Sequence, residues 1–242
     1  MGAGQTILDF TVLSIFLPAW NEEPTIEEAI GRVLVLFPGA NVVVVDDGST
    51  DGTYGKLLSM QSECLTVLRT PKNLGKGGAI KFGIGAFEVS TRYFAYLDAD
   101  LDLCPSSLLR GMEALEDDLE LSAAVGSKLH PDSIINYVWY RKLLSIVFRN
   151  FLRLLFSLSI NDTQTGLKIF RTEHVAGLVE NIGSNGWTFD LELMLELQDQ
   201  GLKILEIPVD LAYKFSSSIN VGSAYQAVLD VLRVWSVRRL VR

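Results

Sequence analysis

Apolar runs recur along this chain, and most of them end in a polar signature. Residues 13–17, 41–45, 65–68 and 93–97 read as strands, the second with four valines in succession. An unbroken β-branched run of that kind is what a strand covered on both faces looks like. Helical patterns separate these strands over 24–37, where Pro24 sits in the first turn, 52–60, 77–89 and 105–119. A further strand is expected over 121–125. After it come a long apolar and basic segment over 134–160, a short strand over 167–170, helices over 173–180 and 189–200, and a strand over 203–207. Alternation of this sort predicts an α/β fold: a mostly parallel twisted sheet with helices on both faces. There is no internal repeat and no low-complexity linker.

The polar signatures carry the chemistry. Strand 13–17 runs into Pro18-Ala19-Trp20-Asn21-Glu22, and strand 41–45 into Asp46-Asp47-Gly48-Ser49-Thr50-Asp51-Gly52. Strand 65–68 leads into Arg69-Thr70-Pro71-Lys72-Asn73-Leu74-Gly75-Lys76-Gly77-Gly78, and strand 93–97 into Asp98-Ala99-Asp100-Leu101-Asp102. Open α/β sheets bind ligands at the carboxyl ends of their strands, where all four signatures fall. Carboxylates at alternate positions repel one another, and hard oxygen ligands at a strand end suit Mg²⁺ or Mn²⁺ completed by substrate phosphates. An acidic turn with no metal is the alternative.

Composition narrows the picture. The 242 residues are 48% hydrophobic, enough for one large α/β domain, and the mean hydropathy of +0.27 is high for a chain without a spanning segment. Cys64 and Cys104 form no C-x-x-C, which favours reduced, structural thiols in a cytoplasmic setting. Residues 1–11 read as a leader without a secretory signal, although Met1-Gly2-Ala3-Gly4-Gln5-Thr6 fits the myristoylation pattern formally. The net charge of −8 argues against a nucleic-acid partner. Charge is unevenly spread: over 128–160 Lys128, Arg141, Lys142, Arg149 and Arg153 face Asp132 alone, and over 211–242 Lys214, Arg233, Arg238, Arg239 and Arg242 face Asp230 alone. That asymmetry suggests an anionic surface or substrate on one side.

Segment 134–160 has the length of a membrane span. Burying Arg141, Lys142, Arg149 and Arg153 in hydrocarbon would cost roughly 3 kcal/mol each near the centre, which excludes a conventional span. On a helix Arg141, Ser145, Arg149 and Arg153 share one face, and the remainder is apolar and aromatic. Two arrangements fit: an interfacial helix lying on anionic lipid, or a helix buried in a core or dimer interface with its arginines snorkelling.

Taken in order, Pro18-Ala19-Trp20-Asn21-Glu22, Asp46-Asp47-Gly48-Ser49-Thr50-Asp51, Asn73-Leu74-Gly75-Lys76-Gly77 and Asp98-Ala99-Asp100 resemble the family 2 glycosyltransferases of the A-type fold. Gly126-Ser127-Lys128, Arg141-x-x-x-Ser145 and Asp162-Thr163-Gln164-Thr165-Gly166-Leu167-Lys168 resemble, more narrowly, the polyprenyl-phosphate hexosyltransferases, the dolichyl-phosphate mannose and glucose synthases. The similarity spans residues 12–220, expected as the catalytic domain, with 134–160 as an amphipathic acceptor and membrane helix and 221–242 as a basic C-terminal helix.

The resemblance implies roles. Pro18, Trp20, Glu22, Asp47 and Lys76 would bind the nucleotide-sugar donor, Asp98 would contact it, and Asp100 with Asp102 would hold Mg²⁺ or Mn²⁺ on the diphosphate. The family often carries Gln where Asp102 stands. Lys76, in a glycine-rich turn before a helix, would suit a phosphate or sugar hydroxyls. Lys128, Arg141 and Ser145 would grip the phosphate of a polyprenyl-phosphate lipid acceptor; Lys128 stands where Arg is usual and lacks its bidentate fork. Asp98, Asp100 and Asp162 are the catalytic candidates, and Asp162 could instead cap the turn before Leu167. The implied reaction inverts the anomeric centre. UDP-glucose is the first expected donor and GDP-mannose the second, and the setting is the cytoplasmic face of a membrane. Two alternatives stand beside it: transfer to a sugar acceptor, and a non-catalytic peripheral membrane protein on the same fold. A sugar-phosphate nucleotidyltransferase would need a glycine-rich basic loop after the first strand, where this chain has Pro18-Ala19-Trp20-Asn21-Glu22.

Overall fold

The computed structural model describes residues 8–100, 102–135, 139–211 and 221–241, with side chains described for all of these but 139–144, 221–225 and 241. The elements in order are β1 (Leu13–Ala19), α1 (Ile26–Leu36), β2 (Asn41–Asp46), α2 (Thr53–Met60), β3 (Leu65–Arg69), α3 (Lys76–Phe87), β4 (Tyr93–Leu97) and α4 (Ser107–Asp117). They continue with β5 (Leu121–Ser127), α5 (Trp139–Phe156), β6 (Leu167–Arg171), α6 (Thr172–Asn181), α7 (Thr188–Asp199), β7 (Lys203–Pro208) and α8 (Val221–Val241). Each expected strand and helix is present, with ends shifted by a few residues. Pro24 stands outside α1, whose first residue is Ile26, because the turn at 22–25 intervenes, with the Thr25 and Ile26 N–H groups both on the Glu22 carbonyl.

The sheet has seven strands in the order β3-β2-β1-β4-β6-β5-β7. All neighbours are parallel except β6, which runs antiparallel to both β4 and β5. After β1 the chain builds outward through β2 and β3, then returns past β1 to lay down β4. That reversal leaves a crevice between the carboxyl ends of β1 and β4, the place where open sheets take ligands. Reversed β6 delivers its preceding loop to the same end, since Leu167 pairs with Leu97 at the last residue of β4.

One face of the sheet packs Leu13, Ile15, Leu17, Val42 and Val44 against α1, α2 and α4 through Ile26, Ile30, Val33, Leu57, Leu108 and Met112. The other packs Phe16, Val43, Val45, Phe94 and Tyr96 against α3, α6 and α7. Strand periodicity of two explains the division: alternate residues of each apolar run serve opposite cores. A third layer sits outside α7, where Leu152 of α5 and Val231 and Val234 of α8 enclose Leu191 and Leu195. Among the described residues no helix is long and apolar enough to cross a membrane.

Candidate active site

The segment 20–23 after β1 and the segment 47–53, which runs from the end of β2 into α2, are laced together. Asn21 adopts a left-handed conformation (φ 56°), and its side-chain oxygen accepts the Thr50 N–H at 2.9 Å. Its own N–H reaches Ser49 Oγ, the Glu22 N–H reaches Thr53 Oγ1, and the Gly52 N–H reaches Glu23 Oε2, all at 2.9 Å. These bonds hold Trp20 half out in solvent, 53% exposed, at the mouth of the crevice. An exposed indole at a ligand cavity offers a flat stacking surface for a base or sugar ring.

The crevice is a cavity of about 480 Å³ lined by Pro18, Trp20, Glu22, Asp47, Lys76, Asp98 and Asp100, together with Asn73, Gly75 and neighbouring alanines. The structure thus brings together every residue that sequence reasoning placed at the donor. Asp47 also has a structural duty. Its carboxylate accepts Thr70 Oγ1 at 2.9 Å, the Leu74 N–H at 2.9 Å and the Gly75 N–H at 2.8 Å, so it shapes loop 70–75 from within.

The acidic residues of the cavity crowd one another. Asp100 lies in the solvent-exposed D-x-D turn, where its Oδ1 accepts the Asp102 N–H at 3.1 Å. Desolvation by the surrounding protein, with the charge of Asp98 next in weight, still pushes its carboxyl up to about 6. Burial likewise raises Glu22, against the hydrogen bond from Thr25 and with Asp51, Asp102 and Asp98 adding to the effect. Hard oxygen donors under that much mutual repulsion fit a divalent cation. Among the described residues no three acidic, imidazole or thiol side chains form a finished cage. Asp100 and Asp102 are the residues that would hold such an ion.

Lys76 carries ion pairs that its motif did not announce. It is the first residue of α3, and its Nζ bonds Asp98 Oδ1 at 2.7 Å and Asp190 Oδ2 at 3.2 Å. The surrounding glycines serve packing as well as any ligand. A Cβ on Gly77 would lie 2.4 Å from Phe189, and Gly75 (φ +83°) sits against the Asn185 carbonyl. The turn is glycine-rich because α3 abuts the segment that starts α7.

Asp190 and Lys168 were missed as site residues. Lys168 is fully buried on β6, and its Nζ bonds Asp190 Oδ1 at 2.6 Å and the Thr165 carbonyl at 2.7 Å. Tyr96 donates to Asp190 at 2.6 Å from β4. Lys168 carried a legible signal, a lone charge in the apolar run Leu167–Phe170, since buried charges are normally paired; Asp190 did not, because Glu192 follows it two residues on.

A second cavity, of about 180 Å³, lies on the far side of loop 161–166. Lys128, Ser145, Arg149, Asn161, Asp162 and Gln164 line it, with Phe148 and Leu152 as an apolar wall. Lys128 and Ser145 thus meet as expected; the Arg141 side chain lies outside the described residues. Arg149 lines this cavity as well, because α5 turns the Ser145-Arg149 face towards loop 161–166. Asp162 is engaged by its own surroundings. It accepts from Lys128 N–H at 2.9 Å, Thr165 Oγ1 at 2.6 Å, Gln164 N–H at 3.0 Å and Thr165 N–H at 3.1 Å. That geometry is the turn-capping role.

Among the described apolar residues of α5, Leu152 is buried, Val147 and Leu154 are exposed, and the rest are half-buried. Phe148, Phe151, Leu155 and Phe156 pack on the third core, with Phe148 5.9 Å from the Trp187 ring. On α8, Arg238 pairs with Asp199 and Arg239 lies over the Trp235 ring at 4.6 Å. Trp139, Arg141 and Arg242, expected at the same surface, lie outside the described side chains.

A parallel sheet with an acidic D-x-D turn at the β1–β4 crevice and one reversed strand is the A-type glycosyltransferase architecture. Residues 14–178 match the profile of Glycosyl transferase family 2, and the chain belongs to that family. The polyprenol monophosphomannose synthase of Mycolicibacterium smegmatis is 25% identical over 231 residues, covering 93% of this chain and 86% of that protein. The dolichyl-phosphate beta-glucosyltransferase of Drosophila melanogaster is 30% identical over 251 residues, covering 95% and 76%. Glycosyltransferase AglD of Haloferax volcanii is 28% identical over 235 residues, which is 92% of this chain but only 37% of AglD. Among solved structures, glucosyl-3-phosphoglycerate synthase of Mycobacterium tuberculosis, in complex with Mn²⁺, UDP and glucosyl-3-phosphoglycerate, superposes with a TM-score of 0.70. At 20% identity, over 92% of this chain and 79% of that one, it shares the fold.

Proposed function

We propose that this protein is a metal-dependent, inverting hexosyltransferase that moves a sugar from a nucleotide diphosphate to a polyprenyl phosphate. One observation carries the reading. Outside the D-x-D pair Asp100 and Asp102, the carboxylates that line the two cavities are engaged: Glu22 by Thr25, Asp47 by loop 70–75, Asp98 by Lys76, and Asp162 by its own loop. A hydroxyl acceptor needs a base in the transition state. A phosphate monoester, with a second pKa of about 6, is already largely anionic at neutral pH and needs none. The second cavity offers Lys128, Ser145 and Arg149 to such an anion. The names of the relatives point the same way, to polyprenol and dolichyl phosphates.

In this reading Trp20 stacks on the donor, and Asp47 and Glu22 accept hydrogen bonds from its base or ribose. Asp98 contacts the sugar nucleotide. Asp100 and Asp102 would hold a divalent ion, which would supply charge neutralisation for the departing nucleoside diphosphate. Loop 161–166, rigid through Asp162, holds the acceptor phosphate opposite. Direct displacement then inverts the anomeric carbon. UDP-glucose is the first donor to test and GDP-mannose the second, with the protein peripheral on the cytoplasmic face of its membrane.

The test incubates purified protein with labelled UDP-glucose or GDP-mannose, Mn²⁺ and a polyprenyl phosphate, and follows label into the organic phase. Lipid-linked product is expected, lost with EDTA and in Asp100→Ala, since removing a first carboxylate ligand leaves the diphosphate charge uncompensated. Full activity under both treatments would overturn the metal dependence. Label passing only to sugar hydroxyls or water would overturn the acceptor.

A further inference from the structure

We propose that Asp190 is a positioning residue that ties the donor carboxylate Asp98 to the acceptor loop through the two lysines it neutralises. The inference rests on reading the two cavities as donor and acceptor sites.

Charges alternate along one line that runs from the donor cavity into the protein: Asp98 and Lys76, both half-buried, then Asp190 and Lys168, both buried. Lys76 spans Asp98 and Asp190 at 2.7 and 3.2 Å. On the other side, Asp190 meets Lys168 at 2.6 Å, and Lys168 ends on the Thr165 carbonyl at 2.7 Å. Thr165 and the adjacent Gly166 belong to the loop that Asp162 braces against Lys128. The Asp98 N–H donates in turn to the Gly166 carbonyl at 2.9 Å, so the line closes on itself. Four elements converge: the end of β4, the start of α3, β6 and the first turn of α7.

Asp190 is the member on which the others depend. It is 2% exposed and Lys168 fully buried, so neither charge is hydrated enough to stand alone. Burial pushes the Asp190 carboxyl up, but the Lys168 and Lys76 charges outweigh it and hold the carboxyl below its usual range. Burial opposes the charge on Lys76 also, and Asp190 with Asp98 overcomes it. An aspartate held ionised between two ammonium groups is a poor proton acceptor. Its chemistry is to hold Lys76 on Asp98 and Lys168 on the loop at the same time, fixing the distance between the two reacting partners.

The experiment compares wild type, Asp190→Asn and the double variant Lys168→Met/Asp190→Asn by thermal melting, by calorimetric titration of Mn²⁺ with UDP-glucose, and by transfer kinetics. Misplacing reacting groups by an ångström costs on the order of a hundredfold in turnover, so Asp190→Asn is expected to lose about that much in kcat. Donor affinity and both KM values should stay within about threefold, the pattern of an interaction that orients rather than binds. The double variant leaves no uncompensated buried ion and keeps the test open where the single variant fails to fold. It should melt near wild type and still turn over slowly. A folded double variant with wild-type kcat would overturn the proposal, as would a loss in Asp190→Asn confined to donor affinity. Absence of lipid product from wild type refutes the acceptor instead. Mn²⁺-dependent hydrolysis of UDP-glucose then supplies the turnover, and the same kcat pattern is required of it.

Discussion

Gly166 shows how much a single residue position decides here. Its φ is ordinary; what it supplies is space. A Cβ at that position would lie 1.6 Å from Asp98 Oδ2 and 2.1 Å from its Cγ, closer than any contact allows. The Asp98 carboxylate can turn towards Lys76 and the donor cavity only because the loop beneath it carries no side chain. Gly166→Ala must therefore move Asp98 or the loop. The expected outcome is a fall of at least roughly tenfold in UDP-sugar affinity, measured by calorimetry with Mn²⁺, as a contact to a charged group is worth about 1.5–3 kcal/mol. Unchanged affinity would show that Asp98 does not touch the donor. The D-x-D turn was recognisable as a motif. The need for glycine opposite it was not, because Gly166 lies 68 positions from Asp98 along the chain.

α5 illustrates what an element's amphipathicity can and cannot say. The basic face of α5 was plain from the spacing of Arg141, Ser145, Arg149 and Arg153. Its direction was not. The described part of that face, Ser145 and Arg149, turns inward to a polar cavity, while Arg153 donates to Asn161 at 3.0 Å beside it. The apolar side meets α7 and α8, so helix packing accounts for most of the aromatics. The Ser145→Ala variant tests the inward assignment. It should weaken transfer to lipid phosphate roughly ten- to a hundredfold, the value of a hydrogen bond to a charged group. Nucleotide-sugar affinity should be unaffected, since the donor cavity is lined by other elements. Equal losses on both sides would assign this helix to the nucleotide.

For the molecule as a whole, the third layer presents an outer surface with Leu154 83%, Val237 54% and Leu240 87% exposed. Leu154 of α5 and Trp235 and Arg239 of α8 line one shallow cavity there, so the two helices share that side. Arg153, Arg233 and Arg239 are exposed as well. Each basic group near an anionic bilayer contributes about 1 kcal/mol, screened within a Debye length of about 8–10 Å. The net charge of −8 works against it. Co-sedimentation with vesicles containing anionic lipid should weaken with salt yet persist in part, since apolar insertion is not screened, and Leu154→Glu should reduce the remainder. A protein that ignores such vesicles at low salt would require another route for the lipid acceptor.

Local chemistry along the chain was enough to determine the strands, the helices between them and the residues, Pro18, Trp20, Glu22, Asp47, Lys76, Asp98 and Asp100, that line one crevice. Strand ends in an α/β sheet point one way, so motifs at those ends converge wherever the intervening helices lie. Tertiary structure alone decided the rest. The reversal of β6, the partnership of Asp190 with Lys76 and Lys168, the bond from the Lys128 N–H to Asp162 and the inward turn of Arg149 all depend on segments distant in sequence. A charge in an apolar run announces that it has a partner. Which partner it finds is set by packing, and that depends on which faces of the sheet and helices come to meet.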